Sequence, residues 1–545
     1  MFLSYRKVMV LTVLVGLALA AGGAYYWYQQ AIYTASLDTR PLKVGIVGEI
    51  DTLQPTQLDS PEERLLASAL YEGLVAYDER TSSIKPRLAR SWKYSADHKT
   101  LVVELKKVNF SNGQPLTAEK VKAAWEKSFS TTKDWANISL FLPIEGSQAR
   151  LEGRTPTIAG LEAVDSNTLR IRLEKPNSAF LHMLTNPIFW VYDEAETTDP
   201  SPGTGPFILQ ASTEDHTIVM TRNEKYHQGP PRLSALQFAL YAEPYQAFGD
   251  FKINKLDYLN QVPLTEIKNI KNNPDYKERL VERYLWETYS LGFNMNRAPY
   301  AGNYLLRRAL NYAIDRNAII ETVLAGSYRA AKGVIPMGMP GYNKQLRGYA
   351  YDPERAKELL AEAGYPGGEG LKPLLLSFNS DQGHRAVAEA IAQQLNQLGI
   401  DVQLQDMEWD YYKKQLNAMD LTLFRVGWHA DYADADNFLF GMFHSSKVGI
   451  SNYSAYNNPQ VDKILDAARA ETKSNEERLK LLQRAEEIIV DDAPMLWLFQ
   501  KKAAALSGEN VRHLEMDGLG MVDWFKAELL KPSANGEGSP SEEQV

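Results

Sequence analysis

The sequence predicts a mixed α/β protein of more than one domain, and three observations lead there. At 545 residues the chain exceeds what one compact core organises, and about three domains is the expectation for that length. With 44% hydrophobic and 23% charged residues it has ample material for packed cores. Short apolar runs also alternate with segments of helical periodicity.

Charge and cysteine content narrow the function. A net charge of -9, from 59 basic and 68 acidic residues with no long basic run, argues against a nucleic-acid partner held through phosphates. There is no cysteine, which excludes disulfide frameworks, thiolate zinc sites, cysteine nucleophiles and lipid-modified cysteines.

The N-terminus addresses the chain to a membrane. Arg6 and Lys7 precede an uncharged run over residues 8–28, roughly 31 Å long as a helix and enough to cross a bilayer. Basic residues before the run favour an inside N-terminus, and Tyr25, Tyr26, Trp27 and Tyr28 suit the outer interface. Ala18, Leu19 and Ala20 offer a small-x-small cleavage pattern, so the segment reads as a membrane anchor or a signal peptide.

The elements follow in order. Residues 42–46 read as a buried strand, and residues 64–74 as a helix with Leu65, Leu66, Ala69, Leu70 and Leu74 near helical spacing. Leu101, Val103 and Leu105 share a strand face. Ser111, Asn112 and Gly113 form a turn, and Thr117 caps the next helix, with Glu119 in its first turn. In residues 352–364, Asp352 is the N-cap, Pro353 the first helical residue and Gly364 the C-terminal stop. Residues 386–398 form an amphipathic helix before Gly399, residues 400–404 a strand, residues 476–490 a charged helix and residues 532–545 a disordered tail.

One segment carries a resemblance. Over residues 86–127, Leu88, Ala89, Trp92, Lys106, Phe110, Ser111, Gly113, Pro115, Leu116, Thr117, Ala118 and Trp125 fall at the positions that recur in family-5 extracellular solute-binding proteins, the receptors of ABC importers. The tracts GTGPF (Gly203 to Phe207) with Arg222, Asn223 and Tyr226, LGFNMN (Leu291 to Asn296), RALNYAIDR (Arg308 to Arg316) and NPQVD (Asn458 to Asp462) are similar to further landmarks of that family. The likeness spans residues 41–530.

It implies a periplasmic-binding-protein-like type II (cluster C) fold, with two lobes and an extra domain. The expected division is an anchor or signal peptide with linker (1–40), lobe I in three parts (41–72, 204–296 and 501–531), the extra domain (73–203), lobe III (297–500) and the tail (532–545).

Catalytic motifs of the HExxH, GxSxG and GxxxxGK[ST] kinds are absent, and the eight histidines lack the spacing of a helical metal site. No enzyme, cofactor or metal is expected. Binding fits better, because residues 425–438, RVGWHADYADADNF, bring an arginine, a tryptophan, a histidine and acids next to an apolar run. A free peptide carries a charge at each end, and burying either without a partner is very unfavourable.

In the family's oligopeptide receptors the tract glycine-tryptophan-x-x-aspartate-tyrosine carries the aspartate that pairs with the peptide amino group. Here that position is Asp431, in a tract with Trp428, His429 and Tyr432. Arg425 stands where such receptors hold an arginine for a ligand carboxylate, and the guanidinium fork suits that role. The second arginine, nine residues upstream, is replaced by Leu416. Trp409 matches a pocket-lining aromatic, His384 a histidine reaching longer peptides and Trp135 a cleft aromatic. The loop Asp59, Ser60, Pro61 would offer backbone hydrogen bonds to an extended ligand.

Read as residues alone, Asp431 could sit on a solvated loop, Arg425 could pair with a nearby acid and Trp409 could pack in a core. Asp434 and Asp436 read as a solvated face, and His429 with Asp431 and Asp434 does not make a metal set.

The resemblance thus implies a monomeric extracytoplasmic peptide receptor that closes its lobes around an oligopeptide and delivers it to ABC importer permease subunits. It would be anchored at the outer face of the bacterial cytoplasmic membrane, or periplasmic or secreted if cleaved. A signalling receptor without transport, or a receptor for another solute such as a nickel chelate, are the alternatives.

Overall fold

The computed structural model describes residues 36–131, 135–196, 198–213 and 216–532. The apolar run over residues 8–28 and nearly all of the expected tail lie outside the described residues. Among the described residues no helix is long and apolar enough to cross a membrane.

Two long antiparallel strands, Leu280–Phe293 and Met495–Ser507, form the spine of the molecule. Beyond the first lies a parallel set in the order Leu423–His429, Leu374–Asn379, Val402–Met407. Beyond the second come Tyr258–Leu259, Leu42–Val47, Ala235–Tyr241, Thr217–Arg222 and Phe207–Thr213. Open sheets of more than about ten strands tend to split. This one breaks where the ladder between the long strands is interrupted, from Tyr284 to Thr288. On one side of the break Leu280–Tyr284 pairs with residues 502–506, and on the other Thr288–Gly292 pairs with residues 495–500.

Each half has its own core. Leu42, Val44, Ile46, Phe238 and Trp524 pack in the first lobe. The second lobe is covered on both faces of its sheet, with Phe424, Val426 and Phe438 in one layer and Leu291, Leu376 and Ile391 in the other. Buried parallel strands require such double cover. A separate four-stranded sheet, ordered Ala89–Tyr94, Thr100–Leu105, Thr168–Arg172, Leu161–Asp165, packs on helix Ala118–Thr131 around Leu101, Val103 and Trp125.

The local signals are met with stated differences. Thr117 Oγ1 accepts the Lys120 N–H at 3.3 Å, and Asp352 accepts the Arg355 N–H at 2.9 Å. The helix expected over residues 64–74 instead spans Pro61–Ala67. Ser60 and Glu63 form a capping box that starts it earlier, and Leu74 leads into the strand Val75–Asp78. The helix expected over residues 386–398 begins earlier, as Gln382–Asn396, because Asp381 caps it.

The GTGPF tract has a steric reason. A Cβ at Gly205 would lie 2.4 Å from the Leu70 carbonyl carbon, where the backbones meet through Gly205 N–H to Leu70 O at 2.8 Å and Phe207 N–H to Ala69 O at 2.9 Å. Asn223 Nδ2 donates to Gly205 O and Tyr226 Oη to Glu72, closing the same corner. Gly205→Ala is therefore expected to lower the urea midpoint, by at least about 1–3 kcal/mol of stability. Gly249→Ala, in a helix with nothing within 4 Å of the added carbon, should leave it unchanged or raise it.

Candidate functional site

Strands Leu374–Asn379, Val402–Met407 and Leu423–His429 are parallel, so their carboxyl ends share one edge. Ligands of open α/β sheets bind in the crevice outside such ends. The first strand leads through Asp381 into the helix bearing His384, the second through Glu408 into Trp409–Asn417, and the third into the Asp431 loop. Residues dispersed in sequence thus gather at one edge: His384, Trp409, Arg425, Trp428, His429 and Asp431. Trp409 is not core; the residue is 44% exposed, and its ring stacks on Tyr412 and has Lys413 Nζ 5.1 Å from its centre.

Alternation along Leu423–His429 puts Arg425, Gly427 and His429 on one face, opposite Leu291, Tyr289 and Glu287 of the neighbouring strand. The Arg425 guanidinium lies 5.0 Å from the Tyr289 ring centre, its Nε has no hydrogen-bond partner among the described residues, and Tyr412 Oη donates to its carbonyl. Tyr289 Oη is 3.4 Å from His384 Nδ1. Burial, reinforced by the Arg425 charge, pushes the His384 ring down to about 4, so it is neutral at neutral pH. Leu416, in the place of the second arginine, is buried in the core.

A charged group beside this face was not legible in the sequence. Glu287 accepts from Lys501 Nζ at 3.2 Å, and His429 Nδ1 stands at 3.8 Å, too far for a hydrogen bond. Burial opposes the Glu287 charge, yet Lys501 and His429 outweigh it and hold the carboxyl at about 2. Glu62, on the helix Pro61–Ala67, has a carboxyl raised chiefly by burial, and it feels the charges of Lys501, Glu287 and His429. The alternating tract Glu287, Tyr289, Leu291 was the available signal, but its facing strand was unknown without the fold.

Asn437 organises the end of the strand. Its Oδ1 accepts from Trp428 Nε1 at 2.9 Å and from the Asp431 N–H at 3.1 Å, while its Nδ2 donates to Asp431 Oδ2 at 3.1 Å. The Asp431 carboxylate is half-buried and has no cationic partner among the described residues. Gly441 lets the Trp428 indole lie against its helix, since a Cβ there would come within 3.1 Å of the ring. Asn186, from the four-stranded-sheet unit, donates to the Asp431 carbonyl at 3.0 Å.

Several expectations are corrected. Asp434 and Asp436 do not face solvent: Asp434 is buried in a bidentate pair with Arg478 at 2.9 and 2.7 Å, and Asp436 in one with Arg469 at 2.8 Å twice. Burial works against ionising Asp434, and the Arg478 fork outweighs it, so the carboxyl stays below its ordinary range. Tyr432 is buried in the core of the four-stranded-sheet unit and donates to Asp436 at 2.7 Å, so it acts first as a brace. In the Asp59 loop, the N–H groups of Asp59 and Ser60 already donate to Glu63 at 2.8 and 3.1 Å and are unavailable to a ligand. Trp135 opens the helix Trp135–Ile138, and its side chain lies outside the described residues.

The model of the bacterial extracellular solute-binding proteins, family 5, matches residues 83–449. The chain belongs to that family. Heme-binding protein A of Haemophilus influenzae is 30% identical over 452 residues, covering 78% of this chain and 81% of the relative. The oligopeptide-binding protein OppA of Bacillus subtilis is 26% identical over 514 residues, covering 90% and 92%. The solved Escherichia coli murein tripeptide binding protein MppA superposes with a TM-score of 0.76 at 25% identity, over 91% of this chain and all of that one. This family-5 chain therefore has the two-lobe α/β architecture of periplasmic-binding-protein-like receptors, and its family is extracellular and solute-binding.

The depressed His384 value has a measurable consequence. The unfolded chain takes up the proton near 6.5 and the folded one near 4, so stability falls as pH drops through that window. A histidine NMR titration should find the His384 midpoint near 4. Arg425→Met should move it upward by removing a cation, while burial keeps it below 6.5.

Proposed function

We propose that this solute-binding protein captures peptides with a free amino end by closing its lobes and delivers them to an ABC importer. The observation that carries the reading is the Asp431 carboxylate, oriented by Asn437 at the carboxyl end of a central strand and left without a cation among the described residues. A peptide ammonium supplies that missing charge, and a low-dielectric cleft strengthens the pair. Arg425, two strand positions short of His429 on the cleft face, stands ready for a ligand carboxylate or carbonyl, with neutral His384 as a hydrogen-bonding neighbour and Trp409 beside an aromatic wall.

The expected division supports closure: residues 41–72, 204–296 and 501–531 as one lobe, 73–203 as the extra domain and 297–500 as the other lobe. The pivot would be the break in the long-strand ladder. The run over residues 8–28 would tether the receptor at the outer face of the cytoplasmic membrane, beside the permease subunits.

Titration calorimetry of the full chain with peptides of two to eight residues tests the reading. Asp431→Asn should weaken free-amino peptides by roughly ten- to a hundredfold and leave N-acetylated peptides nearly unchanged. Equal losses for both would refute the assigned role. Because one relative is named for heme, hemin is titrated in parallel by absorbance, and tight hemin binding without peptide binding would overturn the peptide reading.

A further inference from the structure

Between the four-stranded-sheet unit and the second lobe lies a cavity of about 650 Å³. Leu140, Lys175 and Met183 line it from the first, and Trp428, Asp431 and Lys447 from the second. That volume is in the range of small-molecule sites. Since Asp431 belongs to the wall, an amine held there puts the side chain of the same residue against this space.

Lys447 is placed firmly. It ends the turn Ser445–Lys447, which Asp462 anchors by accepting from Ser445 N–H at 3.0 Å and Ser445 Oγ at 2.5 Å. The Lys447 carbonyl accepts from the N–H groups of Ile450, Ser451 and Asn452, each at 3.0 Å. Its side chain is half-buried, and its ammonium has no hydrogen bond or ion pair among the described residues.

Of the other charges in the wall, Lys175 is exposed to solvent, and three more have contacts of their own. Arg469 is committed to Asp436, Asp466 stands 3.6 Å from His444 Nε2, and Glu174 accepts the Gly146 N–H at 3.1 Å. Burial and the neighbouring Arg469 charge push the Lys447 ammonium down to about 8, as befits a cation lacking its counter-ion. Leaving such a charge unpaired in a cavity is unfavourable, and a ligand anion relieves it.

We propose that this cavity receives the first residue of the ligand and that Lys447 makes it select a carboxylate there. The inference rests on the peptide reading with Asp431 as amino-end anchor. The carboxylate can come from an acidic side chain in the first position or from the α-carboxyl of a γ-linked glutamate. In either case one residue offers an ammonium to Asp431 and an anion to Lys447. A neutral first residue still enters, with water left around the ammonium.

The test is titration calorimetry of the full chain with four tripeptides: Glu-Ala-Ala, Gln-Ala-Ala, Lys-Ala-Ala and γ-Glu-Ala-Ala. Wild type should bind Glu-Ala-Ala or γ-Glu-Ala-Ala at least about tenfold more tightly than Gln-Ala-Ala, with Lys-Ala-Ala weakest. The stronger of the two acidic probes identifies the source of the carboxylate. Lys447→Met should abolish the acid-over-amide ratio while leaving Gln-Ala-Ala affinity in place, and Lys447→Arg should restore the ratio. Tight binding of all four peptides with no ratio in wild type overturns the subsite alone. Equal weakening of acid and amide peptides by Lys447→Met also overturns it, because that is a structural loss. Failure of every free-amino peptide to bind overturns the peptide reading and the subsite with it.

Discussion

The antiparallel pairing of Leu280–Phe293 with Met495–Ser507 is the constraint on which the other elements depend. It joins two half-sheets of different content, a parallel set on one side and a mixed set on the other. The ladder cannot run unbroken through both, because each half twists with its own neighbours. At the break, Leu285 O is satisfied by Gln500 Nε2 at 3.0 Å and Trp286 N–H by Gly518 O at 2.6 Å. Backbone groups freed from the sheet are thus met by a side chain and a loop, so the interruption carries little hydrogen-bond cost. Glu287 and Lys501 pair immediately beside this interruption.

The acids of one short tract meet different fates, and the differences arise from the fold. Asp434 caps the helix Ala435–Phe443 and faces inward to Arg478. Asp436 lies two residues further, in the first turn of that helix, held by Arg469 and Tyr432. These pairs do not make the molecule stable by their charge alone, since desolvation offsets much of the Coulomb gain. What they do is lock the loop after Leu423–His429 against helices Pro459–Ala470 and Asn475–Asp492. With its neighbours fixed, Asp431 is held in one orientation by Asn437 and is paired with no cation among the described residues. A carboxylate prepared in that way binds an ammonium without first breaking an ion pair.

Much of the architecture was legible because it rests on local chemistry. The cap at Thr117, the Asp352 and Pro353 helix start and the strand at residues 42–46 follow from propensity and periodicity, and the structure places each element there. The family landmarks were legible too, and Gly205 supplies a steric reason for one of them. What failed depended on partners distant in sequence. Asp434 and Asp436 looked solvated because Arg478 and Arg469 lie 44 and 33 residues away, on helices whose packing no pattern in the tract reveals. The Asp59 loop looked open because Glu63 reads as an ordinary first-turn acid, whereas its carboxylate collects four backbone N–H groups. Lys447 carried no signal, since a lysine in a loop is unremarkable until a cavity forms around it.

The two ends of the cleft face are built unequally. At the Asp431 end the anion is oriented by an amide that also grips Trp428, so its position is over-determined. At the Arg425 end one guanidinium lies over an aromatic ring, its usual companion position is filled by buried Leu416, and His384 carries no charge at neutral pH. A site with one well-fixed anion and one softly held cation discriminates most at the anion's end. On the proposed reading, misplacing an ammonium there would forfeit a fixed charge-assisted contact, whereas a carboxylate at the other end could shift with a flexible arginine and with water. Length tolerance would follow from that asymmetry on the proposed peptide reading, because ligands would be registered from the amino end and their far ends accommodated.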